Sequence, residues 1–281
     1  MTENRFLRRA IRRFSSSLVL GAALLAAGPS PAARAAMTAE PVVVVELFTS
    51  QGCSSCPPAD AFLAELAERK GLLVLSYHVD YWNYMGWKDT FSSPQMTQRQ
   101  RAYAQQLGQR YVFTPQMVVD GMAHAEGAAR ARIESLLVDA RKMIDKKLPI
   151  RVSRAGLNEV KVGLPAARPM DKGKKAADST VAKPKMKTGT LWLIAYDDKH
   201  TTEIGKGENR GRTLSYHNVV RSIKPVATWE GKQTHVVVNL AEEIAAGYKN
   251  CAVLLQAGEG GRILAAARLP MPVTIGGEGR N

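Results

Sequence analysis

The sequence predicts an α/β chain in two parts: a domain built on parallel strands over residues 40–147, then a small antiparallel β-sandwich over 148–281. Three observations carry that prediction. Val42 to Phe48 and Leu72 to Val79 are almost continuously apolar, the pattern of strands buried on both faces. Phe62, Leu63 and Leu66 lie between them at helical spacing, which makes a strand–helix–strand crossover of the right-handed parallel type. Beyond Pro149 the texture changes to short β-branched runs separated by glycine-containing turns, with no long periodic helix.

The N-terminus reads as a targeting segment. Arg5, Arg8, Arg9, Arg12 and Arg13 precede the apolar stretch Leu18 to Gly28, and Ala33-Arg34-Ala35 offers an A-x-A cleavage site. Eleven apolar residues fall short of a membrane span. The expectation is a cleaved signal peptide over 1–36, with Arg12-Arg13-Phe14 admitting the twin-arginine route and an uncleaved anchor as the alternative. It implies a periplasmic or secreted protein with no stable membrane insertion after cleavage. The first 35 residues hold six Arg and one Glu, so without them the formal charge falls from +14 to +9. Arg168 to Lys187 carries seven Lys or Arg against two Asp, a net of +5, in a run rich in Lys, Ala and Pro. This predicts a solvated, disordered loop at 165–188. No aromatic interleaves the basic residues, which argues against nucleic acid as a partner and leaves weak attraction to an acidic envelope surface.

The first strand runs through a polar turn, Thr49 to Gly52, into Cys53-Ser54-Ser55-Cys56 and then Pro57-Pro58. That places a C-x-x-C pair in the first turn of a helix. The orphan N–H groups and the macrodipole there favour an anion. A thiol in such a place commonly titrates at roughly 3.5–7.5 rather than about 8.5, so a thiolate is available near neutral pH. Cys53 is the expected nucleophile and Cys56 the thiol that resolves a mixed disulfide. Half a zinc site and a plain structural bridge are the competing readings; export favours the redox one, because disulfides persist outside the cytoplasm. No metal and no diffusible cofactor is expected. Glu46, a lone carboxylate in a buried strand, needs a partner or a job.

After a helix ending near Lys70-Gly71 and the second strand comes Asp80 to Asp89, with four aromatics in ten residues, Trp82 among them. It lies at the carboxyl edge of the parallel strands, where chemistry gathers, and reads as a lid or a substrate-facing wall. His78, inside the strand, is either a hydrogen-bonded core residue or a catalyst. Asp80 orients His78, acts on the cysteines, or caps the loop. Ser93 to Gly108 predicts a helix with Ser93 as N-cap and Pro94 in its first position. Phe113-Thr114-Pro115 leads into a short strand closing on Asp120-Gly121, a hairpin signal. From Ala125 to Lys147, Ile133, Leu136, Leu137, Ala140 and Ile144 give an amphipathic helix.

A buried strand, C-x-x-C at a helix start and a later Thr-Pro before a strand together resemble the thioredoxin superfamily. The resemblance implies that Pro115 is cis and faces the thiols, so that the Thr114-Pro115 backbone pairs with an extended substrate. It also implies Glu46 as proton acceptor for the inner cysteine, against a simple salt bridge, although Glu46 is seven residues before Cys53 rather than the family's usual six. The Ser54-Ser55 dipeptide and the long separation from Cys56 to Pro115 depart from thioredoxin itself. The phrases ELFTSQGCSSCPPAD, HVDYWNYMGWKD, RQRAYA, TPQMVVDG and GENRGRTLSYHNVVR more closely resemble a secreted bacterial thioredoxin-like family, domain of unknown function 1223. Residues 40–147 are then a thioredoxin-like domain.

In the second part, strands are expected over Ile150–Val152, Val160–Leu164, Thr190–Tyr196, Thr234–Leu240, Cys251–Gln256 and Arg262–Leu269, with a hairpin at Gly258 to Gly261. Cys251, at the head of an apolar strand, reads as a buried inert thiol or, alternatively, a resolving partner. The polar segment Gly205 to Arg221 reads as a long loop and strand that packs on the first domain or receives substrate, with Glu208, Asn209 and His217 at the interface. The expected function is an exported thiol-disulfide oxidoreductase, acting on a substrate protein or a small thiol or disulfide and recharged by a redox partner. The alternative is a non-catalytic thioredoxin-fold module: a Cu(I)- or Zn-binding chaperone or a partner-binding protein.

Overall fold

In a computed structural model the chain is described over residues 37–167 and 188–271. The expected signal peptide and nearly all of the expected basic loop lie outside those residues. The elements are β1 (Met37–Thr38), β2 (Val43–Thr49), α1 (Pro57–Ala67), β3 (Leu72–His78), α2 (Pro94–Gln106), β4 (Gln116–Val119), β5 (Ala123–Glu126) and α3 (Arg130–Lys142). They continue as β6 (Arg151–Arg154), β7 (Glu159–Leu164), β8 (Gly189–Glu203), β9 (Thr213–Trp229), β10 (Thr234–Asn239), α4 (Ala241–Ala245), β11 (Asn250–Gln256) and β12 (Ile263–Leu269).

All seven residues of both β2 and β3 are buried, as their apolar runs require. They pair in parallel from Val43–Leu72 to Thr49–His78, with α1 as the crossover. β4 pairs antiparallel with β2, and β5 with β4. Side chains alternate across the sheet with period two. Val43, Val45 and Leu47 therefore join α1 and α3 in one core, with Phe62, Leu63, Leu66, Ile133 and Leu137. Val44 and Phe48 join α2 in another, with Tyr77, Met96 and Tyr103. Each large aliphatic so buried contributes roughly 1.5–3 kcal/mol relative to leaving it in water.

Two departures from the expected elements place the site. The helix expected from Ala125 starts only at Arg130, because residues 123–126 pair with β4 as a hairpin strand. Gly127 makes the turn between them: a Cβ there would come within 2.9 Å of Ala59 and 3.0 Å of Pro115. Tertiary pairing here overrides a local helical pattern. The second departure is one of extent: residues 205–221 are a loop and then a strand, as expected, but the strand runs on to Trp229. Most of that segment is the first half of β9, a 17-residue strand that pairs along β8 and touches β3 in parallel at Ser76–Val219. One eight-stranded sheet thus runs β12-β11-β8-β9-β3-β2-β4-β5. The strands beyond residue 148, expected as a separate domain, extend the sheet of the first half, and the described residues fall within one compact unit. β9 covers an edge of β3 that would otherwise present unpaired backbone groups. The sandwich is present in shared form: a four-stranded sheet, β1-β6-β7-β10, packs Val160, Val162, Leu164 and Val238 against Leu191, Leu193, Val253 and Leu255 of the larger one.

Candidate functional site

At the carboxyl end of β2 the chain turns through Ser50-Gln51-Gly52, and Cys53 and Cys56 are joined in a disulfide with Cα atoms 5.4 Å apart. The helix begins one residue after the pair, so Cys56 is the N-cap and not part of the first turn as expected. Pro57 and Pro58 occupy the first two helical positions, where an N–H would have no intrahelical partner. The next two N–H groups, of Ala59 and Asp60, both donate to the Cys56 carbonyl at 2.9 and 3.1 Å. Ser54 and Ser55 are exposed, yet both cysteines are 0% exposed. The Ser55 hydroxyl lies 3.4 Å from Cys53 Sγ.

The Thr114–Pro115 peptide bond is cis. Pro115 is brought to the start of α1 through Gly127, on which it converges with Ala59. Trp82 ties the same corner together: its Nε1 donates to Thr114 Oγ1 at 2.8 Å, and its Cβ stands 3.2 Å from where a side chain on Gly52 would begin. Cys53, Cys56, Trp82, Thr114 and Pro115 therefore share one end of the sheet.

Glu46 does not belong to that group. Parity puts it on the α2 face of β2, away from α1, where Arg99 Nε donates to its Oε1 at 2.7 Å and Tyr103 donates its hydroxyl to Oε2. Gln256 of β11 completes the cluster, accepting from Arg99 at 3.1 Å. Of the two jobs considered for Glu46, the geometry gives the salt bridge. His78 is fully buried and bonds Asp89 Oδ2 through Nδ1 at 2.7 Å, its ring edge-on to Tyr216 at 4.8 Å. Its Nε2 has no hydrogen-bond partner among the described residues. Asp89 also accepts the Gln51 N–H at 2.7 Å, which holds the turn before Cys53. Burial works to raise the Asp89 carboxyl, but His78 and the N–H groups of Gln51 and Phe91 together hold it below its ordinary value. Asp80 takes the loop-capping role: Thr97 of α2 accepts its N–H at 3.1 Å and donates to its Oδ1.

Sequence reasoning missed Asp60. It is 5% exposed, sits one turn after Cys56 on α1, and its Oδ1 has no hydrogen-bond partner among the described residues. Burial pushes its carboxyl up to about 7; the charge of His78 and the Thr49 hydroxyl, which lies close without forming a full hydrogen bond, pull the other way. A carboxylate in the first helical turn looks like ordinary dipole complementation, and only the packing of β9 over α1 buries it. Between α1 and β9 a groove of about 470 Å³ opens, lined by Pro57, Asp60, Ala61, Arg212, Ser215 and His217.

The tip of the β8–β9 hairpin covers the cysteine loop. Asn209 is 1% exposed and its Nδ2 donates to the carbonyls of Gln51 and Cys53, each at 2.9 Å. Arg212 donates to Asn209 Oδ1 at 2.9 Å and orients the amide. The Ser54 N–H donates to Glu208 Oε2 at 3.1 Å. Trp87 supports the tip from the aromatic loop, its Nε1 donating to Gln51 Oε1 at 2.8 Å and its ring lying 3.1 Å from where a Gly205 side chain would begin. The interface role expected of Glu208 and Asn209 is thus a contact on the cysteine loop itself; His217 lines the groove.

Residues 44–256 match the family described as "Protein of unknown function (DUF1223)", and the chain belongs to that family. Among solved structures, an X-ray structure of a protein from Agrobacterium tumefaciens is 31% identical, with a TM-score of 0.67, covering 86% of this chain and 99% of that one. HBP35 of Porphyromonas gingivalis is 13% identical at a TM-score of 0.50, covering 87% of this chain and 81% of that one, a likeness of fold alone. No curated protein matches the chain.

Proposed function

We propose that this member of the DUF1223 family is an exported thiol–disulfide oxidoreductase with a thioredoxin-like catalytic half, working through Cys53 and Cys56. One observation carries the reading: the cysteine pair is bridged at the N-cap of a helix, beyond the carboxyl end of a buried strand, with Pro115 and Ala59 of that helix converging on Gly127. The β2-α1-β3 crossover followed by the β4–β5 hairpin and α3, with strand order β3-β2-β4-β5, supports the thioredoxin-like assignment. The arginine-led apolar N-terminus supports export.

In the oxidised protein a substrate thiolate attacks Cys53 Sγ. The Cys53–Cys56 bond breaks, its electron pair passes to Cys56 Sγ, and a mixed disulfide joins substrate to Cys53. A second substrate thiolate attacks the substrate sulfur, Cys53 leaves as thiolate, and the substrate has lost two electrons and closed a disulfide while the pair has become a dithiol. Run backwards, the same steps reduce a substrate disulfide, Cys53 attacking and Cys56 resolving. Either way Cys56 gains or loses a proton. Asp60, titrating at about 7 one turn along α1, holds or yields that proton at neutral pH. The substrate is a protein or a small thiol or disulfide, and a separate redox partner restores the starting state.

The test is turnover. With a disulfide-bonded peptide and glutathione, the wild type accelerates exchange, Cys53→Ser abolishes the acceleration, and Cys56→Ser accumulates a mixed disulfide visible by mass spectrometry. A wild type no faster than Cys53→Ser overturns the reading.

A further inference from the structure

Both cysteines are 0% exposed, and a thiolate attacks a disulfide along the S–S axis through open space. Exchange therefore requires an element beside the pair to move. The hairpin tip between β8 and β9 is the element placed to do so. Lys206, Glu208 and Arg210 on it are exposed, and Gly207 and Gly211, at φ +77° and +79°, bound its turn. Its hold on the cysteine loop consists of the two hydrogen bonds from Asn209 Nδ2 and the one to Glu208 Oε2.

Three of the groups held are main-chain, the carbonyls of Gln51 and Cys53 and the N–H of Ser54, and the Ser54 hydroxyl stands beside its N–H at Glu208. Two acceptors and one donor along a loop are what an extended polypeptide bonds through its own N–H and C=O groups. The Asn209 amide is a side-chain copy of a peptide group, and it occupies that place.

We propose that the β8–β9 hairpin tip is an intramolecular competitor for substrate: Asn209 and Glu208 occupy the backbone groups of the Gln51–Ser54 loop that a cysteine-bearing extended polypeptide takes over when it reaches Cys53. The inference rests on the oxidoreductase reading and adds the substrate class and its regulation. Arg212 keeps the Asn209 amide turned for the task and is a positioning residue. A small thiol has no main chain to replace the tip and reacts only when the tip lifts unaided; a polypeptide displaces it.

The experiment compares rates of reduction of the Cys53–Cys56 disulfide by 2-mercaptoethanol and by an unstructured peptide with one cysteine, in the full exported chain. Wild type favours the peptide. Asn209→Ala raises the rate with 2-mercaptoethanol about tenfold and narrows the preference. Glu208→Ala, at an exposed position, raises it about threefold and serves if Asn209→Ala fails to fold. In a Cys56→Ser protein trapped as the mixed disulfide with the peptide, the Ser54 amide and residues 204–212 change their hydrogen-exchange protection, which they do not when 2-mercaptoethanol is the trapped thiol. Folded variants that react at the wild-type rate, or a wild type with no preference for the peptide, overturn the proposal. Turnover of a disulfide substrate is scored in parallel. Faster reduction of the variants without any turnover sinks the oxidoreductase reading and leaves the competing tip standing; normal turnover with unchanged reduction rates does the reverse.

Discussion

Two carboxylates lie buried within eight residues of the cysteine pair, and they differ in what surrounds them. Glu46, 1% exposed, faces Arg99, Tyr103 and, through Arg99, Gln256. Asp60, 5% exposed, has an oxygen with no hydrogen-bond partner among the described residues. A buried charge is tolerable when paired and hydrogen-bonded, and otherwise the group neutralises. Glu46 meets the first condition, Asp60 the second. Pairing ties Glu46 into the core, and the lack of it leaves Asp60 titrating near neutral pH, as the proposed proton transfer to and from Cys56 requires.

The largest effect expected from breaking this contrast is at Glu46. Glu46→Gln leaves the Arg99 guanidinium buried without its counter-charge, and removing one partner of such a pair costs about 3–5 kcal/mol. Urea unfolding reads the loss, while exchange kinetics of the folded variant stay at the wild-type level. A fall in exchange rate with stability intact would return Glu46 to the proton relay.

Asp60→Asn acts the other way round. The folded protein holds the Asp60 proton up to about pH 7, whereas the unfolded chain releases it near 3.8. The native state therefore binds more protons in that window, and stability falls as pH rises through it, by up to about 4 kcal/mol above pH 7. The variant removes that fall, so its stability profile flattens between pH 4 and 7 and its unfolding midpoint exceeds that of wild type at pH 8. Resolution of the mixed disulfide by Cys56 slows by about 10²-fold, the lower range for loss of a positioned acid–base group, and the inflection near pH 7 disappears. An unchanged rate profile would reduce Asp60 to a buried neutral side chain.

How far the sequence could be read follows from the same contrast. The apolar runs, the C-x-x-C spacing and the Thr-Pro before a short strand are local signals, and β2, β3, the disulfide and Pro115 stand where those signals point. Glu46 was visible as an anomaly, but its job was not. A strand residue's face is fixed by its neighbours' parity, and its partner Arg99 is 53 residues away on α2. Asp60 was invisible because its burial comes from β9, more than 150 positions downstream. The loop and strand of 205–221 are legible, but the length of β9 and its pairing along β8 are not, because both depend on partners distant in sequence. Long-range pairing likewise turned the start of the expected 125–147 helix into β5 and joined two expected domains into one sheet.

Smaller effects should follow from the pair behind Asp60, and their signs are opposite. The charge of His78 lowers the Asp60 carboxyl and that of Asp89 raises it. His78→Gln therefore moves the pH inflection of exchange upward, and Asp89→Asn moves it downward. Both lose the 2.7 Å bond between them, so both also lower stability by about 1–3 kcal/mol. Inflections shifted in the same direction would mean that the two variants act through the packing of Gln51 and not through charge.

Cys251 gives the smallest effect and extends the contrast from carboxylates to thiols. It is 1% exposed and outside the disulfide, and burial, then the nearby Glu243 charge, pushes its thiol up to about 12. At pH 8 only about one molecule in 10⁴ carries the thiolate, and the thiolate is the reactive form. Native alkylation of the oxidised protein should therefore be slow and should accelerate only with unfolding, whereas the reduced Cys53–Cys56 pair at the helix cap reacts in the folded state. Cys251→Ala removes one sulfur from a packed strand and lowers stability by roughly 1–2 kcal/mol, with exchange rates unchanged. Burial alone does not make a group reactive in this protein. Cys251 is buried and its charged form is disfavoured by burial and by the Glu243 charge, while Cys56, equally buried, has Asp60 one helical turn away.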